Sequence, residues 1–219
     1  GFEGATQVKG GMGMLGAALS NAATDLGAVV RCDTSVASID KTFDRVTGVT
    51  LSSGEHITAK LVVSSADPKT TFKSLLGYQH MEAGLVRRIE QIRFKSGTVK
   101  VHLALSGLPT FTGLDQSALG QRLVIAPSLN ALESAFNPLK YDESSARPVM
   151  DISIPSINDP SLAPNGQHVL SAIVQYAPLN PKGGWEALRA PFMAAVIAEL
   201  TRYAPDIASL ITAEELLTP

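Results

Sequence analysis

"GGMGMLG" occupies residues 10–16 and opens a run with helical spacing. Gly11, Gly13 and Gly16 spell G-x-G-x-x-G, the outline of a dinucleotide-binding loop. That outline works only in context. A buried strand must deliver the loop, so that a helix N-terminus meets the pyrophosphate. The preceding residues, "GFEGATQVK", contain no run of four apolar side chains and make a poor strand. One feature favours the motif. The helix candidate Met12–Leu26 is followed by Gly27 and by "AVVRCD", a strand-like stretch ending in Asp33, about where a ribose-binding acid would sit. The other reading of the glycines is a helix start that needs close packing or a close backbone approach.

Composition narrows the classes. Lysine and arginine number 18 against 20 acidic residues over 219 positions, and the basic residues are scattered, which gives no footprint for nucleic acid. Hydrophobic content is 45% with only 17% charged, which predicts a large core or an apolar surface covered by some other segment. That surface leaves self-association and peripheral membrane contact open. Cys32 is the single cysteine, so a disulfide framework within the chain is excluded and a reducing, cytoplasmic setting is expected. No apolar run reaches the roughly 18 residues of a membrane span. The chain starts at Gly1 and ends in "EELLTP", which predicts a piece of a longer protein.

Along the chain, residues 12–26 place Met14, Leu15, Ala18, Leu19, Ala22 and Leu26 at helical spacing, with Gly27 as the stop. A strand is expected over 28–39, then a β-meander over 40–66 that turns at "SSGE" and returns through "ITAKLVVSSA". Asp67 and Pro68 open a short helix, and residues 82–93 form another. Val99, Val101, Leu103 and Leu105 alternate with Lys100, His102 and Ala104, the pattern of a half-buried strand. Ser128 caps a helix over 128–139. "PVMDISIP" and "HVLSAIVQYAP" are strands joined by a segment too rich in proline and glycine for a crossover helix, so an antiparallel pair is expected. A long helix runs from about Gly184 to Tyr203. Glu214 and Glu215 read as surface or cap residues. The fold class is α+β, with a domain change at 67/68.

Self-contained chemistry is sparse. His56, His80, His102 and His168 lie outside any hydrolase signature, and no H-E-x-x-H or close acidic cluster suggests a metal. His102 reads as a solvated or hydrogen-bonded strand residue. No catalytic acid, base or nucleophile is assigned.

Two blocks carry a resemblance. "KGGMGMLGAALSNAATDLGAVVRCDTSVASI" followed by "GVTLSSGEHITAKLVVSSADPKTTF" resembles the middle of phytoene desaturase-like FAD-dependent oxidoreductases. In that family a GGM segment starts a helix, and V-x-x-I, G-V-x-L-x-x-G and V-V-S-x-A-D-P segments follow. "PVMDISIPSINDPSLAPNGQHVLSAIVQYAP" is similar to the subgroup of pyridine-nucleotide-disulphide-oxidoreductase-domain-containing relatives. The resemblance implies that residues 1–67 belong to an FAD-binding domain. It places 68–219 in a substrate-binding domain, a mixed or antiparallel sheet with helices on one side. It also implies that the true dinucleotide fingerprint lies upstream and that the match at 11–16 is accidental. Val36 would meet the adenine end of FAD through its backbone, with Ser64, Ser65 and Ala66 near the adenine ribose. Gln175 and Tyr176 would be polar handles in a cavity for an apolar, polyene-like substrate. The implied activity is FAD-dependent desaturation or dehydrogenation. A flavin amine oxidase and a non-enzymatic scaffold that keeps the fold are the alternatives.

Overall fold

A computed structural model describes residues 8–43, 45–94 and 96–219, which divide into two compact units. The larger, residues 1–19 with 94–219, is built on a five-stranded sheet. Its strands are β4 (Ser96–Leu105), β5 (Leu123–Ile125), β6 (Val149–Ser153), β7 (His168–Pro178) and β8 (Ile211–Leu217), in the order β5-β6-β7-β4-β8. Every pair is antiparallel.

Alternation along β4 sets its core. Val99, Val101, Leu103 and Leu105 are each 0% exposed. Val174, Ala172 and Leu170 of β7 stand opposite the first three, so one face of the sheet is apolar across strands. Met150 and Ile152 extend that face through β6. The helix α4 (Gly184–Thr201) closes it with Phe192, Met193, Val196 and Leu200, and α5 (Ile207–Leu210) adds Ile207. Each fully buried valine or leucine side chain contributes about 1.5–3 kcal/mol. The opposite face carries Lys100, His102 and Ala104 of β4, Asp151 and Ser153 of β6, and Val169, Ser171 and Ile173 of β7. The short helix α3 (Leu129–Phe136) is capped by Ser128, whose hydroxyl accepts the Ala131 N–H at 3.1 Å.

The smaller unit, residues 20–93, holds a three-stranded antiparallel meander: β1 (Val36–Thr42), β2 (Arg45–Leu51) and β3 (His56–Thr58). Gly48 is required where β2 meets β3, since a Cβ there would collide with the Ile57 carbonyl oxygen. Thr50 and Ser38 donate to the Asp40 carboxylate on this meander, holding its carboxyl below the usual carboxylate range. Asp67 caps the next helix by accepting the N–H groups of Lys69 and Thr70, at 2.8 and 3.1 Å. The following turn is widened to i→i+5 bonding across Thr70–Leu76. Helix α2 (Ala83–Gln91) follows, and its Glu90 pairs with Lys73 at 2.9 Å.

Helix α1 (Gly13–Asp25) ends as its sequence predicts. Gly27 has φ +89°, and the Ala28 N–H reaches back to the Ala23 carbonyl at 3.0 Å. None of its side chains is buried, and the apolar residues on and beside it face outward: Met12 is 67% exposed, Leu19 64% and Leu26 90%.

Three sequence expectations change. The strand expected from Ala28 begins only at Val36, because Asp33 takes a left-handed φ of 50° that breaks extended pairing. Residues 28–35 are held instead by local contacts, including the two-pronged Arg31–Glu55 pair at 2.8 and 2.9 Å. The returning strand of the meander stops at Thr58: after one bond from the Ala59 N–H to the Thr47 carbonyl at 2.9 Å, residues 60–66 belong to no strand among the described residues. Glu214 and Glu215 are exposed as expected, yet they lie in an edge strand, β8, that pairs with β4 through the register Leu216–Val101. Residues 1–7, which carry most of the argument against a preceding strand, lie outside the described residues.

Leu103→Ala should lower unfolding stability by about 2–5 kcal/mol, because the cavity opens between two strands and cannot collapse. Val124→Ala, at a position 66% exposed, should cost less than about 1 kcal/mol. Denaturant midpoints of the two variants check the contrast.

Candidate functional site

The glycine turn at 10–16 already holds an anion, and the chain supplies it. Gly10 and Gly11 have φ of +82° and +88°, a left-handed backbone that glycine adopts without strain, and the Gly11 N–H donates to the Val8 carbonyl at 3.0 Å. The Gly10 N–H donates to Oδ2 of Asp159 at 2.5 Å. Oδ1 of the same carboxylate accepts from the Ser161 hydroxyl at 2.6 Å and from the Ser161 N–H at 3.2 Å. Asp159 is only 7% exposed. The Ser161 hydroxyl, and after it the Gly10 amide, hold its carboxyl below the usual carboxylate range. A Cβ on Gly11 would touch Leu162 at 3.5 Å, so the turn lies close on the loop that bears Asp159. A phosphate at Gly10 would have to displace a buried, hydrogen-bonded carboxylate.

That loop, residues 154–169, spends its polar side chains on the backbone around it. Asn158 donates to the Gly120 carbonyl at 2.8 Å. Ser156, 3% exposed, accepts the Val169 N–H at 3.1 Å and lies 3.1 Å from Nδ1 of His168. A cavity of about 400 Å³ opens between this loop and Leu108. A second cavity, about 280 Å³, lies beside the start of α3. Its floor includes Glu199, whose buried carboxylate takes a two-pronged contact from Arg147 at 3.2 and 3.3 Å. Arg202 stands 3.8 Å away.

The residues expected from the sequence fall in two places. Val36, at the head of β1, is 38% exposed, and Ser65 and Ala66 are exposed in the same unit. Ser64 and Thr71 share a hydroxyl hydrogen bond at 2.8 Å. Thr71 also donates to the Ala66 carbonyl at 3.2 Å, tying the end of "VVSSA" to the helix that follows. Gln175 and Tyr176 lie near the end of β7, both half-buried. Gln175 stands opposite Val149, and the Tyr176 ring packs edge-on against Phe136 at 5.3 Å. Neither lines the two cavities described above.

Sequence reasoning missed Asp159, the Ser156–His168 pair and Lys100. The Asp-Pro step at 159–160 was legible as a turn, but not the partner 149 residues away. Lys100 sits on the half-buried sheet face opposite Ile173, and burial pushes its ammonium below its ordinary range, with Asp151 opposing the shift. Asp151 is itself engaged by Arg122 at 2.5–2.6 Å. Strand alternation marked Lys100 as solvated; only the neighbouring strands show how much water it loses. Among the described residues, no group of three or more His, Cys, Asp and Glu side chains could hold a metal ion.

Two variants test the turn. Gly11→Ala should cost about 1 kcal/mol or more, since its φ is positive. Asp159→Asn should be less stable than the unaltered chain at neutral pH. The Asp159 carboxyl is depressed in the folded state, so its contribution is present above the unfolded value of about 3.9 and is lost as pH falls through the folded value. The gap between the two proteins should therefore close below about pH 4, as read from thermal melts across pH.

Comparison with known proteins identifies this architecture. A family model described as flavin containing amine oxidoreductase matches residues 1–183. The chain is 33% identical over its whole length to pyridine nucleotide-disulfide oxidoreductase domain-containing protein 2 of Rattus norvegicus, covering 40% of that protein. Over 96% of its length it is 28% identical to the phytoene desaturase (neurosporene-forming) of Cereibacter sphaeroides, covering 40% of it. The fold matches an oxidoreductase from Methanosarcina mazei with TM-score 0.67 at 15% identity, over 96% of this chain and 43% of that one. The chain thus spans about 40% of the length of the curated relatives it matches. Its glycine-turn helix, meander and antiparallel sheet are part of that architecture, and the chain belongs to the flavin-containing amine oxidoreductase family.

Proposed function

We propose that this chain is the middle part of an FAD-dependent oxidoreductase of the desaturase or dehydrogenase type, acting on an apolar, polyene-like substrate. The observation that carries this reading is the antiparallel β6–β7 pair and the sheet face it shares with β4. That face sets Val169, Ile173 and Ala104 among Lys100, His102, Asp151, Ser153 and Ser171, so those three side chains would give an apolar molecule its contact and the polar groups would orient it. The phytoene desaturase of Cereibacter sphaeroides bears a carotenoid name, in keeping with such a substrate.

In this reading residues 1–67 belong to a flavin-binding domain and 68–219 to a substrate-binding domain. Val36, Ser65 and Ala66 would hold the adenine end of FAD. Their side chains suit that role, being small, uncharged and outward-facing, and a strand head can offer backbone groups to a flat base. FAD, when bound, supplies the hydride acceptor. The chain's own residues then bind and orient the substrate and exclude water. Gln175 and Tyr176 would orient the substrate by hydrogen bonds near the end of β7, where the Tyr176 ring packs edge-on against Phe136. Amine oxidation is a second reading, favoured by the family description itself.

In a protein that contains this chain together with its flavin-binding segments, Tyr176→Ala should raise KM for a polyene about tenfold, the loss of about 1.4 kcal/mol. Bound flavin per protein, read from visible absorbance, should stay unchanged. Flavin loss in step with KM would sink the substrate-wall assignment. The 219-residue chain by itself should bind FAD more weakly than about 1 μM, close to 8 kcal/mol, because the Gly10 amide is taken by Asp159. Fluorescence titration with FAD checks this.

A further inference from the structure

We propose that the cavity of about 400 Å³ walled by the 154–169 loop binds a small uncharged molecule, largely apolar, through one oxygen acceptor that His168 hydrogen-bonds. The walls set the class. Leu108, Ile157, Pro160, Ala163 and Pro164 supply apolar surface, and the two prolines have no N–H to offer. Among the described residues no Lys, Arg, Asp or Glu lines the cavity, so none of them balances a charged ligand there. Asn158 and Asp159 are turned away into their bonds with Gly120, Ser161 and Gly10. Polar groups remain at Asn165, Gln167 and His168, enough to orient a ligand and too few to solvate an ion.

The Ser156 contact decides what His168 presents. Ser156 is 3% exposed, and its oxygen already accepts the Val169 N–H. Among the described residues its own proton has one acceptor within reach, Nδ1 of His168 at 3.1 Å. The opposite arrangement, with Nδ1 donating, would leave the buried hydroxyl proton unbonded. With Nδ1 accepting, the ring proton lies on Nε2, a donor that calls for a carbonyl or hydroxyl oxygen. A ketone or an aldehyde on a compact hydrocarbon frame meets all of these conditions. The site does not depend on the flavin reading, and its test involves no flavin.

Three probes of similar shape separate the elements of the proposal. Camphor is a rigid apolar ketone, camphene lacks the oxygen, and 10-camphorsulfonate keeps the ketone and adds a charge. Each is titrated into the 15N-labelled 219-residue chain while backbone amides and imidazole nitrogens are followed by NMR. Camphor should give saturable shifts at Ile157, Ala163, Gly166 and the His168 Nε2 signal. Camphene should bind about fivefold more weakly, as the loss of one neutral hydrogen bond requires. The sulfonate should bind more weakly than camphor. His168→Phe should remove the camphor–camphene difference, and His168→Gln, which keeps a donor, should restore part of it. Either variant is judged only with an amide spectrum that shows the fold intact, and the comparison among probes on the unaltered chain stands without them. Three results would overturn the proposal: no saturable shift at these residues up to the solubility of camphor, equal affinity for camphor and camphene, or tighter binding of the sulfonate.

Discussion

The enclosure of β4 is the constraint on which the larger unit depends. Four side chains of one strand, Val99, Val101, Leu103 and Leu105, are wholly shut off from water. The strand is bonded on both edges, to β7 and to β8. A slip of one residue would drive Lys100 and His102 into that core and turn two valines and two leucines outward. Register is therefore strongly specified, and β7 inherits it. Once β7 is placed, His168 stands at one of its ends and the Gln175–Tyr176 pair near the other.

The same economy governs the 154–169 loop. A long connection between two strands exposes backbone polar groups that must find partners. Here Ser156, Asn158 and Asp159 supply them, each reaching a different element. With Ser156, Asn158 and Asp159 so engaged, the surface left facing the cavity is mainly apolar, with Asn165, Gln167 and His168 as its polar groups. The Gly10 contact belongs to this set. Two glycines at positive φ let an amide approach the carboxylate, which a side chain at either position would strain. The carboxylate is held by the Gly10 amide, one residue before the 11–16 motif, while the Gly11 N–H donates to the Val8 carbonyl at 3.0 Å.

Flavin oxidoreductases ask their protein to shape and dry a site more than to supply acids and bases. The composition of this chain agrees with that division of labour. The described residues show one desolvated lysine on the half-buried sheet face, and the other shifted groups are hydrogen-bonded surface or loop residues; a buried glutamate is held by Arg147. The exposed apolar residues of α1, together with Val29, Leu61 and Val63 at 77–86% exposure, carry the high hydrophobic content onto the surface.

The sequence by itself determined the elements whose signal is local. Alternation set β4, the proline- and glycine-rich connection set the antiparallel β6–β7 pair, and Ser128, Asp67 and Gly27 marked helix ends through side-chain caps and a positive φ. The motif resemblance reached the family. What it could not determine were features carried by partners far apart in the chain. β8 has one buried residue, Leu216, and only pairing with β4 makes it a strand. Residues 28–34 have the composition of a strand, but among the described residues no strand pairs with them, so the extended form gains no ladder bonds, and Asp33 turns the chain. Asp159 was a turn residue until Gly10 came within 2.5 Å, and Ser156 and His168 were twelve positions apart until the ends of two adjacent strands brought them together. Local propensity is written in neighbouring residues. The meaning of a carboxylate, a hydroxyl or an imidazole depends on which donor or acceptor the tertiary fold sets within about three ångströms of it.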